Sequence, residues 1–228
     1  MIKEKLIAAK KGLEFIKNGM TIGLGTGSTV SYLIKELAVK VKAGLKITAV
    51  STSNSTTQLA SSFGIKVFDL SNVSIIDLTI DGADEVDKNL NGIKGGGGAL
   101  LYEKIVAKNS KKNIWIVDSS KLVEKLGKFP LPVEVVKFGA EHLFKTLSDM
   151  NFNPQFRMKE GKRFVTDGEH FIIDLKLNVI VDAVNLDERV KKITGVVETG
   201  LFCGIADVVI AGNSDGTVSI KKRDQTIL

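Results

Sequence analysis

The chain has 228 residues, 43% hydrophobic and 25% charged, which excludes wholesale disorder and fits one large domain or one domain carrying a smaller one. Its formal charge of +6, from 32 basic and 26 acidic residues, suits an anionic partner: a nucleic acid, an acidic surface or a small anion. A single cysteine excludes an internal disulfide, and no apolar run approaches the roughly 20 residues of a spanning helix, so a reducing cytoplasm is expected and a membrane is not.

Residues 3–18 place Leu6, Ile7, Leu13 and Ile16 among lysines, the pattern of an amphipathic helix, which Asn18-Gly19 stops. A strand is predicted at 20–24, then Gly25-Thr26-Gly27-Ser28-Thr29, then a helix with Val30, Leu33, Ile34 and Leu37 on one face. Strand 47–51 runs into a Ser/Thr cluster at 51–57 and a helix ending near Phe63-Gly64. Strands are also expected at 65–69 and 75–80, the second leading into Asp81-Gly82-Ala83-Asp84. After the glycine run 95–98 come a helix over 99–108 and an apolar strand over 114–117, with Trp115 in the core. Strand, loop and helix repeated in this way predict a parallel sheet with helices on its faces. Chemistry in such folds gathers in loops at the carboxyl ends of strands. Here those loops are 25–29, 51–55, 81–87 and 118–121, which are rich in Gly, Ser, Thr and Asp.

Around Phe129-Pro130-Leu131-Pro132 the texture changes. A strand (133–138), a helix (140–149), alternating segments near 153–158, 163–166 and 169–175, a helix (186–194) and a strand (196–198) follow. They read as a compact α+β unit, 129–201, inserted into a first domain made of 1–128 and 202–228. Strands within 205–220 are expected to return to the main sheet.

Gly23-Leu24-Gly25-Thr26-Gly27-Ser28 lacks the last glycine of a dinucleotide fingerprint, and no Gly-Lys-Ser/Thr follows, so the nucleotide P-loop is excluded as well. Two readings remain: a phosphate seat at a helix N-terminus, or a tight turn in which Ser28 or Thr29 caps the helix. Asp81, Asp84, Glu85 and Asp87 crowd one strand end. Asp87-x-Asn89-x-Asn91-Gly92 begins like a calcium loop, but Gly98 stands where the bidentate glutamate belongs, so no metal is expected. Solvated surface charge and proton-transfer chemistry both fit the acidic cluster. In Lys94-Gly95-Gly96-Gly97-Gly98, each glycine costs roughly 0.5–1 kcal/mol of backbone entropy relative to alanine in regular structure. Main-chain N–H groups that approach a ligand closely would justify that cost, and the lysine adds a cation; a ligand loop is the preferred reading. Glu103 then falls near the start of a helix, where the dipole favours a carboxylate.

Neither His142 nor His170 has metal-ligand spacing, and both are expected to be structural or surface residues. Cys203, in Leu201-Phe202-Cys203-Gly204, is expected to be a buried, inert thiol. Neither a nucleophile elbow nor His-Glu-x-x-His occurs, which argues against familiar hydrolases. Lys10-Lys11 and Lys221-Lys222-Arg223 lack interleaved aromatics, so no nucleic-acid partner is expected.

Taken together, Gly25-Thr26-Gly27-Ser28-Thr29, Asp81-Gly82-Ala83-Asp84-Glu85, Lys94-Gly95-Gly96-Gly97, Glu103-Lys104-Ile105, Asp118-Ser119-Ser120-Lys121, Gly127-Lys128-Phe129-Pro130-Leu131-Pro132-Val133-Glu134-Val135 and Gly195-Val196-Val197-Glu198-Thr199-Gly200-Leu201-Phe202 resemble the type A ribose-5-phosphate isomerases across nearly the whole chain. Each motif alone is weak; their joint order and spacing is specific. The resemblance implies an α/β fold: a Rossmann-like parallel sheet domain with an inserted ferredoxin-like α+β domain. It implies an aldose-ketose isomerase of the non-oxidative pentose phosphate pathway, interconverting D-ribose 5-phosphate and D-ribulose 5-phosphate through an enediolate. No cofactor or metal is implied, and the expected assembly is a cytoplasmic homodimer or homotetramer. Roles are implied too: Glu103 moves the proton between C1 and C2, Asp81 helps to open the sugar ring, and Lys94 and Asp84 hold the reacting oxygens. Ser28, Thr29 and Lys5 would bind phosphate, with Thr26, Gly27, Gly82, Ala83, Lys121 and the amides of Gly95, Gly96 and Gly97 completing the substrate shell.

Two rivals come from other classes. Sugar-phosphate-sensing domains of transcription regulators are similar in fold, but they normally follow a helix-turn-helix and have no use for the full acidic set or Glu103. Coenzyme A transferases share a related glycine loop and glutamate, but need a coenzyme A site and a covalent glutamyl intermediate.

Overall fold

The computed structural model describes residues 2–223; the ends of the expected first domain at residue 1 and at 224–228 lie outside them. Six helices occur in this span: α1 (Ile2–Leu13), α2 (Ser28–Lys42), α3 (Asn54–Ser62), α4 (Leu100–Lys108), α5 (Ala140–Asp149) and α6 (Ala183–Lys191). Among the described residues no helix is long and apolar enough to cross a membrane.

The main sheet has six strands in the order Val218–Lys222, Val208–Gly212, Asn113–Asp118, Leu78–Asp81, Thr21–Leu24, Thr48–Ser51. All neighbours are parallel except the Val218–Lys222 edge, which runs antiparallel to Val208–Gly212. Asn113–Asp118 is buried at every position, as a strand covered on both faces must be. On one face lies a core of α1, α2 and sheet residues, including Leu33, Ile34 and Leu37 from the apolar stripe of α2. Trp115 (1% exposed) belongs to a second cluster and meets Phe202 edge-on. The chain steps from Thr21–Leu24 to one side, onto Thr48–Ser51, then returns to the other side as Leu78–Asp81. This reversal is the switch point beside which ligands bind in such sheets, and loops 25–29 and 81–87 straddle it.

The segment from Leu131 to Thr199 builds a separate antiparallel sheet in the order Val196–Thr199, Leu131–Val135, Phe171–Leu175, Pro154–Phe156. With α5 and α6 it has the β-α-β-β-α-β order of a ferredoxin-like unit, and its first and last strands are neighbours. The architecture is therefore the expected α/β class: a parallel Rossmann-like sheet with an α+β insertion.

Three local expectations need correction. The first helix stops at Leu13 rather than 18, because the amides of Glu14, Phe15 and Ile16 bond three residues back in a tightened last turn. Residues 65–69 are not a strand: only Val67 bridges to Ala49, and the chain then turns into a short 3-10 helix, Leu70–Asn72, capped by Asp69. A small sheet of Leu201–Phe202, Gly92–Ile93 and Glu85–Val86 joins the acidic loop, the glycine loop and the end of the inserted unit. Two-residue strands carry no periodic signal, and the sequence reading passed over them.

Candidate active site

The loops at the switch point enclose a cavity of about 150 Å³. Lys5, Thr26, Gly27, Ser28 and Thr29 line one part of it; Gly82, Ala83, Asp84, Lys94, Gly95, Gly96, Gly97, Glu103 and Lys121 line the rest. Every residue named from the sequence is thus at this cavity except Asp81, which lies directly beneath it, bonded to Lys94. Val117 and Asp118 also line it, although the sequence reading gave them no role.

Asp81 ends the Leu78–Asp81 strand, and its Oδ1 accepts from the amides of Thr26 (3.0 Å) and Gly82 (2.7 Å). Gly25 permits this contact: a Cβ there would lie 2.1 Å from Asp81 Oδ1. Behind Thr26 a hydroxyl cluster fixes the loop, with Thr26 Oγ1 2.7 Å from Thr52 Oγ1 and 2.8 Å from Ser53 Oγ. The Ser/Thr-rich end of the second strand therefore supports the site without lining it.

Lys94 is the electrostatic centre. Its ammonium donates to Gly82 O at 2.6 Å and pairs with Asp81 Oδ2 at 3.0 Å and Glu103 Oε2 at 3.3 Å. Burial alone pulls its pKa down, but the charges of Asp81, Glu103 and Asp84 outweigh that and hold it above the usual lysine value. Glu103 sits in the first turn of α4, 4% exposed. Burial first of all, helped by Asp81 and Asp84 and opposed by Lys94, lifts its pKa to about 8. Its Oε2 lies 3.3 Å from the Lys94 ammonium, which offsets part of the effect of burial. A base poised near neutral pH can take a proton from carbon.

At the other part of the cavity, α2 begins at Ser28 with Gly27 as its N-cap and no side-chain cap bond. Of the two readings left open, the helix-capping hydroxyl is therefore not the one adopted. Ser28 instead accepts from Lys5 Nζ at 2.9 Å. Uncapped helix amides, two hydroxyls, Lys5 and Lys121 together suit an oxyanion.

The four clustered carboxylates divide in two. Asp81 and Asp84 face the site, whereas Glu85 accepts from the amides of Gly127 (2.7 Å) and Phe129 (2.6 Å). Asp87 closes a turn by accepting from the amides of Asn89 and Asn91. Among the described residues no cluster of His, Cys, Asp and Glu could hold a metal ion. His142 is exposed, His170 lies 3.1 Å from the buried Glu134, and neither lines the cavity. Cys203 is half-buried rather than fully buried; desolvation raises its pKa to about 11, which leaves the thiol protonated and inert.

A family model described as ribose 5-phosphate isomerase A (phosphoriboisomerase A) matches residues 48–216. The ribose-5-phosphate isomerase A of Streptococcus pneumoniae (strain Hungary19A-6) is 50% identical over 222 residues, covering 97% of this chain and 98% of that protein. Among solved structures, a D-ribose-5-phosphate isomerase in complex with phospho-erythronic acid is similar with a TM-score of 0.92 and 42% identity, covering 96% of this chain and 97% of its own. The ribose 5-phosphate isomerase from Plasmodium falciparum matches with a TM-score of 0.92 and 38% identity over 98% of each chain. Sequence and fold agree over nearly the full length, and this chain belongs to the ribose 5-phosphate isomerase A family, whose members are aldose-ketose isomerases.

Proposed function

We propose that this cavity interconverts D-ribose 5-phosphate and D-ribulose 5-phosphate, with Glu103 as the base. The reading is carried by one observation: the buried Glu103 carboxyl, its pKa lifted to about 8, lining the cavity 3.3 Å from the Lys94 ammonium. The substrate phosphate sits at the α2 N-terminus between Ser28, Thr29, Lys5 and Lys121. Asp81 assists ring opening. Glu103 then removes the C2 proton of the open-chain aldose, and the electron pair forms the C1–C2 double bond while the C1 carbonyl oxygen becomes an oxyanion. Lys94 and Asp84 hold the two reacting oxygens. The O2 hydroxyl proton passes to O1, and Glu103 returns its own proton to C1, which leaves a C2 ketone. Nothing in this sequence consumes a cofactor or a metal. The phospho-erythronic acid bound by a related isomerase is a phosphorylated sugar acid, in keeping with a cavity that has cations at both parts.

The assembly we propose is a cytoplasmic homodimer or homotetramer acting in the non-oxidative pentose phosphate pathway. Phe138 (95% exposed) and Val181 (90% exposed) leave apolar surface for a second copy to cover. Residues 129–201 form the inserted domain, a division supported by a sheet whose strands all fall between Leu131 and Thr199.

Ribulose 5-phosphate formation by the wild type and by Glu103→Gln, in buffer containing a chelator, tests the reading. The wild type turns over, and the variant loses on the order of 10³-fold or more in kcat. An inactive, folded wild type would end the isomerase reading; an active variant would remove Glu103 as the base.

A further inference from the structure

The inserted unit meets the catalytic loop at the Lys94 N–H, which bonds Gly200 O at 2.9 Å, and at one guanidinium. Arg157, just past the Pro154–Phe156 strand, donates from Nε to Asp174 Oδ2 at 2.9 Å and from Nη2 to Asp174 Oδ1. Its remaining arm, Nη1, donates to the carbonyls of Gly95 (2.6 Å) and Gly96 (3.1 Å). The backbone of Arg157 is itself fixed from two sides, its N–H bonding Ile172 O at 2.9 Å and its carbonyl accepting from Phe164 at 2.8 Å. Both side chains of the pair are largely buried, Arg157 at 14% and Asp174 at 19% exposed.

The carbonyl of Gly95 and the N–H of Gly96 belong to one planar trans peptide, so they point in opposite directions. While Arg157 holds the carbonyl, the N–H donates to Asp84 Oδ2 at 2.8 Å. Gly96 allows this approach, since a Cβ there would lie 2.6 Å from Asp84 Oδ1. Glycine-rich backbone has no steric preference that would keep such a plane from rotating. Within the loop the N–H of Gly98 also bonds the Gly95 carbonyl, at 2.9 Å, and Arg157 adds the donor from outside.

We propose that Arg157, oriented by Asp174, is a positioning residue: it fixes the plane of the 95–96 peptide and, through it, the carboxylate of Asp84. The inference rests on the function proposed above. The Arg157–Asp174 pair is neutral as a unit, so its effect on the cavity is geometric rather than one of net charge. Phosphate recognition, which uses Lys5, Ser28, Thr29 and Lys121, is untouched by it.

The test uses full-length Arg157→Ala, Arg157→Lys and Asp174→Asn. In Arg157→Ala, kcat falls by about tenfold to a hundredfold, while KM and the inhibition constant of inorganic phosphate stay within about threefold, as expected when a reacting group is misplaced but binding is kept. Guanidinium chloride at tens of millimolar restores part of the lost kcat and leaves the wild type unchanged. Arg157→Lys and Asp174→Asn fall between, because an ammonium cannot fork and an unpaired guanidinium is free to turn. Amide exchange of the segment 94–98 accelerates by about tenfold or more in Arg157→Ala. A folded Arg157→Ala with kcat within about twofold of wild type, or with unchanged exchange at 94–98, overturns the proposal. If Arg157→Ala does not fold, Arg157→Lys decides on the same two readings. Exchange is read without substrate, so it judges the positioning role even if the wild type proves inactive on ribose 5-phosphate.

Discussion

Lys94 and Lys104 are both lysines with almost no exposed surface, 3% and 4% at the side chain, and both stand over the ring of Phe202, at 5.3 and 4.7 Å. Burial pulls both pKa values down. For Lys94 the three carboxylates around it win, and its pKa is raised. For Lys104, which donates to Glu198 Oε1 and Thr199 O, each at 2.8 Å, burial wins and the pKa is lowered, with Lys191 nearby adding to the fall. The same side chain at the same depth is thus a locked cation in one place and a less firmly held one in the other, depending on the charges it faces. In the function proposed above, Lys94 serves the chemistry. Lys104 ties α4 to the Val196–Thr199 strand of the inserted unit.

Replacing each lysine by methionine should separate these roles. Lys94→Met removes the charge beside Glu103 and the donor for the enediolate oxygen, and kcat should fall by about 10³-fold in a folded protein, consistent with the loss of a buried electrostatic donor. A loss below tenfold would mean that Lys94 only organises the pocket. Lys104→Met leaves Glu198 with Lys191 at 3.3 Å as its remaining ion-pair partner. Urea unfolding should then show a loss of about 1–3 kcal/mol, the cost of leaving the buried Thr199 carbonyl without its donor, with kcat close to that of the wild type. If Lys104→Met instead costs activity as Lys94→Met does, the two regions are one machine and the contrast fails.

A pH-dependent effect probes the carboxylate paired with Lys94. Glu103 has its pKa lifted from 4.5 to about 8 in the folded chain. Between those pH values the folded protein keeps a proton that the unfolded chain has lost, so this group contributes less and less stability as pH rises through the window. Glutamine does not titrate. The melting temperature of Glu103→Gln relative to wild type should therefore climb steadily with pH across the window. A flat difference would mean that Glu103 ionises freely in the folded state.

The cavity side of this contrast was legible in the sequence, and the Lys104–Glu198 side was not. The Gly-Thr-Gly-Ser-Thr turn and the Asp-Gly-Ala-Asp strand end lie where a parallel sheet concentrates its loops, whereas the glycine run stood out by composition and Glu103 by its place near a helix start. The division of labour within the acidic cluster was not legible. Glu85 turns to the amides of Gly127 and Phe129, more than forty residues on, and Asp87 to those of its own turn, and the two-residue Glu85–Val86 strand has no period to read. Arg157 was equally hidden, since its bonds to the glycine loop span about sixty residues and nothing in a single sequence ties the two ends together. The expected strand at 65–69 failed for a different reason: its alternation is real, with Ile65 buried and Lys66 exposed, but one bridge to Ala49 is all the pairing it finds.

The neighbouring first and last strands of the inserted unit also bear on how the chain folds. Asn113–Asp118 and Val208–Gly212 pair in the middle of the main sheet, yet the whole inserted unit lies between them in the chain. Once that unit has folded, Leu131–Val135 and Val196–Thr199 lie side by side, and the segment left to close is only the two short linkers. Each halving of a loop lowers its closure entropy by about 0.6 kcal/mol, so the insertion can act as a local splint: it forms first, draws the central strands together, and sets the glycine loop last, which would make recovered activity a late signal of refolding.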